Sequence, residues 1–219
     1  MDEKLRFRHF IVPVLFALLM LIQMVLQELY KYDFSPFAIQ PHKIEGLAGI
    51  LCGGFIHGDW SHFISNIIPF LLFSIGMFIY YKFAFKTLIS IMLLTNFYVW
   101  IIGEPNTFHV GISGLIYGLA SFHITSAILR KEKRIIAFAM LIIFLYGSLI
   151  WGFFPEFFPQ LKISWESHLM GFITGIIFAF YYRNEGPQAP KPMEDEFDQN
   201  EEDAYWMIKQ EAEVESRKE

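Results

Sequence analysis

The chain has 219 residues, of which 54% are hydrophobic and 18% are charged, and its mean hydropathy is +0.40. Because the apolar residues come in long runs, this composition excludes an ordinary soluble domain and indicates a protein that crosses the membrane several times. The formal net charge of -5 comes from an acidic C-terminal tail, and we expect no nucleic-acid partner. Cys52 is the only cysteine, so no internal disulfide can form.

Six apolar runs are long enough, or nearly long enough, to cross a hydrocarbon core that requires about 20 helical residues. The runs cover roughly residues 9–29, 60–81, 84–103, 112–130, 134–152 and 165–183. The sequence therefore predicts an all-α membrane protein, a bundle of six transmembrane helices. We expect residues 1–183 to form one membrane domain and residues 184–219 to form an acidic cytoplasmic tail.

Basic residues of the short loops fall mainly on one side of the predicted bundle. Ten lie on that side and three on the other: Lys4, Arg6, Arg8, Lys82, Lys86, Arg130, Lys131, Lys133, Arg134 and Arg183 against Lys31, Lys43 and Lys162. Because basic loops stay on the cytoplasmic side of a membrane, we expect both termini in the cytoplasm of a bacterial cell, with the protein in its plasma membrane. The second, fourth and sixth helices then begin at the outer face.

The second predicted helix begins near Trp60, after a loop whose apolar patch at 47–56 we expect in or on the outer leaflet. It carries His62 and Asn66 four residues apart, and therefore on one helix face. These two side chains could satisfy each other or a neighbouring helix as structural groups. They could also belong to a site, because polar clusters inside a membrane are often functional.

The fourth predicted helix opens with Gly111-Ile112-Ser113-Gly114, and Tyr117 follows Ser113 one turn later. A serine between small residues could be a nucleophile, because its hydroxyl is open to a reacting group. If the helix begins near Ile112, the free N–H groups of its first turn would face an oxyanion formed beside Ser113. The alternative is that the glycines only permit close helix packing.

The sixth predicted helix contains Ser167, Gly171 and Gly175 at four-residue spacing, with His168 at the edge of this small-residue stripe. Such a stripe lets one helix approach another closely. A lone histidine on such a face is more often a structural residue than a base. Here, however, polar residues of the second, fourth and sixth helices all fall near the outer ends of their helices, which random packing would not produce.

The combined residue types fit acyl transfer at these outer helix ends. A serine supplies a nucleophile, a histidine supplies a general base, and an asparagine or second histidine can donate to a tetrahedral oxyanion. The predicted helices contain no interior Asp or Glu, so a serine hydrolase of this kind would use a Ser-His dyad. A metal site is the weaker interpretation, because His57 and His62 have no interior carboxylate or cysteine partner.

At these positions the chain resembles the rhomboid family of intramembrane serine proteases, in the family's order and spacing. The matching motifs are His57 and His62-x-x-x-Asn66, Gly111-Ile112-Ser113-Gly114 with Tyr117, and Ser167-His168-x-x-Gly171-x-x-x-Gly175. Two features differ from the family pattern: Ser167 stands where many members have alanine, and the first loop shows no clear Trp-Arg pair.

The resemblance implies a six-helix rhomboid-like bundle in which Ser113 is the nucleophile and His168 is its base, with Tyr117 packed against the imidazole. It also implies that His62, Asn66 and the Ser113 backbone N–H line the oxyanion hole. The first loop would be embedded in the membrane, and the fifth helix and the aromatic loop after it would be the movable elements.

The expected activity is that of a serine endopeptidase, a hydrolase that cleaves transmembrane segments of single-pass proteins near the outer leaflet, in contact with membrane lipid and without a metal or cofactor. The substrate helix must first unwind locally, because a helical peptide bond is hidden within the backbone ladder. A catalytically inactive relative, acting as a binding or quality-control protein, is the alternative. A transporter is less consistent, since its polar groups would lie at mid-membrane depth.

Overall fold

The computed structural model describes residues 7–157 and 164–190. In this part the chain forms seven α-helices joined by turns and short 3-10 helices, without a β-strand. The helices are α1 (Arg8–Tyr30), α2 (Leu47–Cys52), α3 (Trp60–Tyr80), α4 (Ala84–Ile102), α5 (Ser113–Arg130), α6 (Lys133–Tyr146) and α7 (Trp165–Tyr181). The prediction of an all-α protein is confirmed for these residues. Most of the predicted acidic tail, and residues 158–163 of the aromatic loop, lie outside the described part.

Four helical stretches are long and apolar enough to cross a membrane: Arg8–Tyr30, Trp60–Tyr80, Ala84–Ile102 and Lys133–Phe153. The last combines α6 with the 3-10 helix Gly147–Phe153 that continues it. The fourth and sixth predicted spans do form helices, α5 and α7, but these have only 18 and 17 residues. The structure therefore supports four of the six predicted spans by length and composition.

The lower hydropathy of α5 has a structural cause, because this helix lies inside the bundle. It packs against α3, α4, α6 and α7, and most of its residues are buried, including polar Ser121, His123 and Ser126. A helix surrounded by other helices does not need a lipid-compatible surface, so it can carry small and polar side chains. The hydropathy of the segment from Ser113 to Arg130 is consequently lower than that of the four candidate spans.

The extensive interface between α5 and α7 is built on glycines from both helices. A Cβ added to Gly171 would collide with the carbonyl oxygen of Gly114, and one added to Gly175 would collide with the carbonyl oxygen of Gly118. The two backbones are therefore in direct contact, as in small-residue packing between membrane helices. This contact brings the first turn of α7 beside the first turn of α5.

The far ends of α5 and α7 are joined by a buried arginine. Arg130 is 2% exposed and donates hydrogen bonds to the backbone carbonyls of Tyr182 and Glu185, just beyond α7. Its guanidinium also lies over the ring of Tyr81, 4.8 Å from the centroid. Carbonyl groups at the end of a helix have no donor within that helix, so Arg130 supplies one and holds α7 against α5.

The glycine contact predicts a specific cost for added volume. Gly171→Ala should lower the free energy of unfolding by about 1–3 kcal/mol, because the methyl group forces the two backbones apart. Gly147→Ala is the matched control, since a Cβ there has no atom within 4 Å, and its effect should stay within about 0.5 kcal/mol. Unfolding in mixed micelles measures both variants, and equal losses would contradict the close-packing role.

Candidate active site

Ser113 is the first residue of α5, and Ile112 is the N-cap residue without a side-chain cap. The helix therefore begins where the sequence predicted, with the hydroxyl at the positive end of the helix dipole. The first N–H groups of a helix have no acceptor within it and are available to an anion. The backbone reaches this point through Gly111, whose φ of +99° is strained for any residue with a side chain.

The hydroxyl of Ser113 lies within hydrogen-bond distance of His168 in α7. Ser113 Oγ is 3.0 Å from His168 Nε2, and His168 Nδ1 is 2.9 Å from the carbonyl oxygen of Gly152. Because a carbonyl can only accept, the proton of the neutral ring belongs on Nδ1, and Nε2 is left to accept the proton of Ser113. This is the tautomer that a general base acting on the serine requires.

Tyr117 fixes the plane of the same imidazole. Its ring stacks on His168 with the centroids 4.1 Å apart and the planes 9° from parallel. The Tyr117 hydroxyl donates to the carbonyl of Leu149, so both the stacking residue and the base are tied to the segment Gly147–Phe153. A Cβ on Gly152 would lie 2.7 Å from His168 Nδ1, which explains why glycine is needed there.

His62 and Asn66 of α3 approach the site at Gly111. A Cβ added to Gly111 would lie 2.7 Å from His62 Cε1 and 3.5 Å from Asn66 Nδ2. Asn66 is buried, and its Nδ2 donates no hydrogen bond within the described residues. An unused donor in a buried position is costly unless a ligand or water satisfies it. The structure thus places His62 and Asn66 beside Gly111, which precedes Ser113 by two residues. Their catalytic roles stay predictions.

One expectation about this site is wrong. The predicted helices were expected to contain no interior carboxylate, but Glu166 lies in the first turn of α7 and is only 8% exposed. The described hydrogen bonds of the His168 ring are nevertheless with Ser113 and Gly152. A backbone carbonyl therefore orients the ring in the place that a carboxylate occupies in a triad.

A hydrogen-bonded chain beside the site was not predicted. It runs from Thr107 Oγ1 to His109 Nε2 at 2.8 Å, from His109 Nδ1 to Ser164 Oγ at 2.7 Å, and from Ser164 Oγ to Ser167 Oγ at 2.7 Å. His109 also exchanges both backbone hydrogen bonds with Ile39 of the first loop. The loop before Ser113 is therefore fastened to both α7 and the first loop. Ser167 thus has a hydrogen-bond partner, Ser164, in this chain.

His57 is packed behind the site. Its ring is fully buried and lies edge-on to the ring of His62, with centroids 5.0 Å apart. Its backbone N–H donates to Gln23 Oε1 of α1 at 3.0 Å, which fastens α1 to this end of the bundle. Within residues 7–157 and 164–190, no group of three or more His, Cys, Asp or Glu side chains could hold a metal ion.

A comparison with known families identifies the family of this chain. The Rhomboid domain model matches residues 45–185, which include α2 to α7. The chain belongs to the rhomboid family. Members of this family are typically intramembrane serine proteases, and the apolar helices make this rhomboid a multi-pass integral membrane protein.

Similar proteins occur in mycobacteria. Uncharacterized proteins of Mycobacterium tuberculosis and Mycobacterium bovis are each 29% identical over 171 residues, covering 75% of this chain and 70% of theirs. An uncharacterized protein of Mycobacterium leprae is 28% identical over 172 residues, covering 75% of this chain and 67% of its own.

Proposed function

We propose that this rhomboid is an active serine endopeptidase that cleaves transmembrane segments of single-pass membrane proteins with a Ser113–His168 dyad. The observation that carries the proposal is the 3.0 Å contact between Ser113 Oγ and His168 Nε2, with Nδ1 held by the Gly152 carbonyl. An inactive relative would be under no constraint to keep this tautomer and this contact.

The reaction would begin as the Ser113 hydroxyl attacks the carbonyl carbon of the scissile peptide bond and passes its proton to His168 Nε2. The imidazolium that forms keeps its Nδ1–H on the Gly152 carbonyl and its ring against Tyr117. His168 then gives the proton to the departing amine, which leaves an acyl-enzyme on Ser113. A water molecule, deprotonated by the same Nε2, hydrolyses the ester and returns the serine to its starting state.

The negative oxygen of the tetrahedral intermediate would face the start of α5. The Ser113 N–H, the helix dipole, the Asn66 amide and the His62 ring are the donors available there. Asn66 Nδ2 has no other acceptor within the described residues, so binding the oxyanion would supply its missing partner. A donor that gains its hydrogen bond only in the transition state raises kcat more than it tightens substrate binding.

The membrane arrangement is part of the proposal. Six helices, α1 and α3 to α7, would cross a bacterial plasma membrane with both termini in the cytoplasm, and α5 would do so shielded by its neighbours α3, α4, α6 and α7. The site would then open toward the outer face. Substrate helices with Gly, Pro or polar residues near their outer ends would be preferred, because those residues ease local unwinding.

Chemical labelling tests the nucleophile directly. A fluorophosphonate probe should label the purified wild-type protein, and Ser113→Ala should abolish both labelling and cleavage of a transmembrane substrate while the protein stays folded. His168→Ala should do the same, because the serine loses its base. Ser61→Ala is the matched control, since Ser61 is an exposed serine at the start of α3. Labelling that survives Ser113→Ala would overturn the dyad.

Steady-state kinetics test the oxyanion donor. Asn66→Ala should lower kcat by roughly 10- to 1,000-fold, with a smaller change in KM, as expected for loss of one donor. Asn96 is a suitable control because it is also buried, yet its amide donates to the Ile50 carbonyl at 3.0 Å. Asn96→Ala should therefore lower stability and leave kcat nearly unchanged. If Asn66→Ala kept the wild-type kcat, the oxyanion role would be contradicted and Asn66 would serve only in packing.

Cysteine labelling in intact cells tests the orientation. In a Cys52→Ser background, Glu104→Cys, just after α4, and Lys133→Cys, at the start of α6, place single thiols at two exposed positions on opposite ends of the bundle. The positive-inside rule predicts that an impermeant maleimide reacts with position 104 in whole cells and with position 133 only after lysis. The reverse labelling pattern would show that the site lies in the cytoplasmic leaflet and that substrates are cleaved near their cytoplasmic ends. It would not argue against the dyad.

A further inference from the structure

His109 lies in the loop between α4 and α5, four residues before Ser113, and is only 6% exposed. Its backbone N–H and carbonyl both bond to Ile39 of the first loop, at 2.9 and 3.0 Å. Two residues later, the Gly111 N–H donates to the Gly53 carbonyl at 3.0 Å. The first loop therefore holds the backbone that leads to the nucleophile, and the imidazole of His109 is left to contact another part of the bundle.

The His109 ring is neutral at pH 7. Burial lowers the pKa of His109, and this effect outweighs the nearby carboxylates of Glu166 and Glu104, which act to raise it. A neutral imidazole has one N–H donor and one nitrogen that accepts. Since Nε2 lies 2.8 Å and Nδ1 lies 2.7 Å from a hydroxyl oxygen, one hydroxyl must accept from the ring and the other must donate to it.

The direction of these hydrogen bonds follows from Thr107, at one end of the chain. The Thr107 hydroxyl donates its single proton to the backbone carbonyl of Glu104 at 2.6 Å, so it can only accept from the ring. His109 Nε2 therefore carries the proton, and Nδ1 accepts from Ser164 Oγ. Because the proton of Ser164 is used in this way, Ser164 Oγ must accept from the Ser167 hydroxyl, 2.7 Å away.

Ser164 is the N-cap residue of α7, and both its side chain and its carbonyl bond to the first turn. Its Oγ accepts from the Ser167 N–H at 3.4 Å, and its carbonyl accepts from the His168 N–H at 3.3 Å. An N-cap side chain sets where a helix begins, because its oxygen accepts from one of the free N–H groups of the first turn. The bond to His109 Nδ1 directs the lone pairs of this oxygen toward α7, so His109 acts on His168 through Ser164.

We propose that His109 is a positioning residue for the Ser113–His168 dyad. It joins the loop that leads to the nucleophile to the cap of the helix that carries the base, and so it maintains the 3.0 Å distance between Ser113 Oγ and His168 Nε2. The inference rests on the proposed function, since this distance matters for a rate only if the two groups react. A displacement of about 1 Å between reacting groups can lower a rate about 100-fold.

Two substitutions of equal size test whether the hydrogen bond to Ser164 positions the base. Asparagine and leucine have the same shape, but only the amide oxygen of asparagine can replace His109 Nδ1 and accept from Ser164. His109→Leu should lower kcat by about 10- to 100-fold, with a smaller change in KM, because substrate binding does not depend on the dyad distance. His109→Asn should keep kcat within about threefold of the wild type, because the acceptor is retained. Cleavage of a transmembrane substrate by the purified full-length protein measures both variants.

A double variant and a matched histidine separate positioning from stability. In a Ser164→Ala background, His109→Leu should lower kcat by no more than about twofold further, because the bond between these residues is already lost. His42 is the matched control, since it is a first-loop histidine whose Nε2 bonds to the Gly103 carbonyl at 3.1 Å. His42→Ala should lower the unfolding midpoint and leave kcat unchanged.

The outcomes distinguish this inference from the proposed function. Equal losses of kcat in His109→Leu and His109→Asn, or a wild-type kcat in His109→Leu, would overturn the positioning role and leave the dyad in place. A loss of kcat in His42→Ala as large as that in His109→Leu would show that loop stability alone is responsible, and would also overturn it. If the wild-type protein cleaves no substrate and Ser113 takes up no fluorophosphonate, the proposed function itself fails, and this inference fails with it.

Discussion

The backbone contact between α5 and α7 is the interaction on which the candidate site depends. Ser113 and His168 stand on different helices, and their side chains can share a 3.0 Å hydrogen bond only if no bulky residue separates the two backbones. Gly171 against Gly114, and Gly175 against Gly118, meet this condition. Helix association in a membrane relies on close packing, since lipid offers apolar surfaces as good as those of leucine. The same packing therefore stabilises the bundle and sets the distance between the two reacting groups.

The polar groups of the site also require that α5 be hidden from lipid. Unpaired donors and a hydroxyl at a helix end are costly in hydrocarbon. Here the surrounding helices keep the lipid hydrocarbon away from α5. The outer helices must instead present apolar surface to lipid. Accordingly, α1 and α6 expose many large apolar side chains, mainly leucine and isoleucine. This division between apolar outer helices and a less apolar central helix explains why α5 lacks the composition of a membrane span, whereas α7 falls short by its length of 17 residues. Burial by protein replaces hydropathy for α5.

Much of this arrangement could be predicted from the sequence, because spacing along a helix fixes which side chains share a face. The start of α5 at Ser113 and the family membership followed from the side chains of Ser113, His168, His62 and Asn66. The acceptors that hold His168 and Tyr117 could not be predicted, since Gly152 and Leu149 act through backbone carbonyls, which every residue has. The link from His109 to α7 was missed because its partner there, Ser164, lies 55 positions away along the chain. The burial of Glu166 depends on how α7 packs against its neighbours, α4 and α5, which no local pattern records.

The segment Gly147–Phe153 has a consequence for when the site is competent. It supplies the acceptor for His168 Nδ1 and the acceptor for the Tyr117 hydroxyl, yet none of its own residues is buried. A displacement of this segment would break two hydrogen bonds at once: the one between His168 and the Gly152 carbonyl, and the one between Tyr117 and the Leu149 carbonyl. The histidine would then be free to rotate or change tautomer, and the serine would lose its proton acceptor. The assembly of the reacting groups therefore depends on the position of one peripheral segment that lies outside α5 and α7.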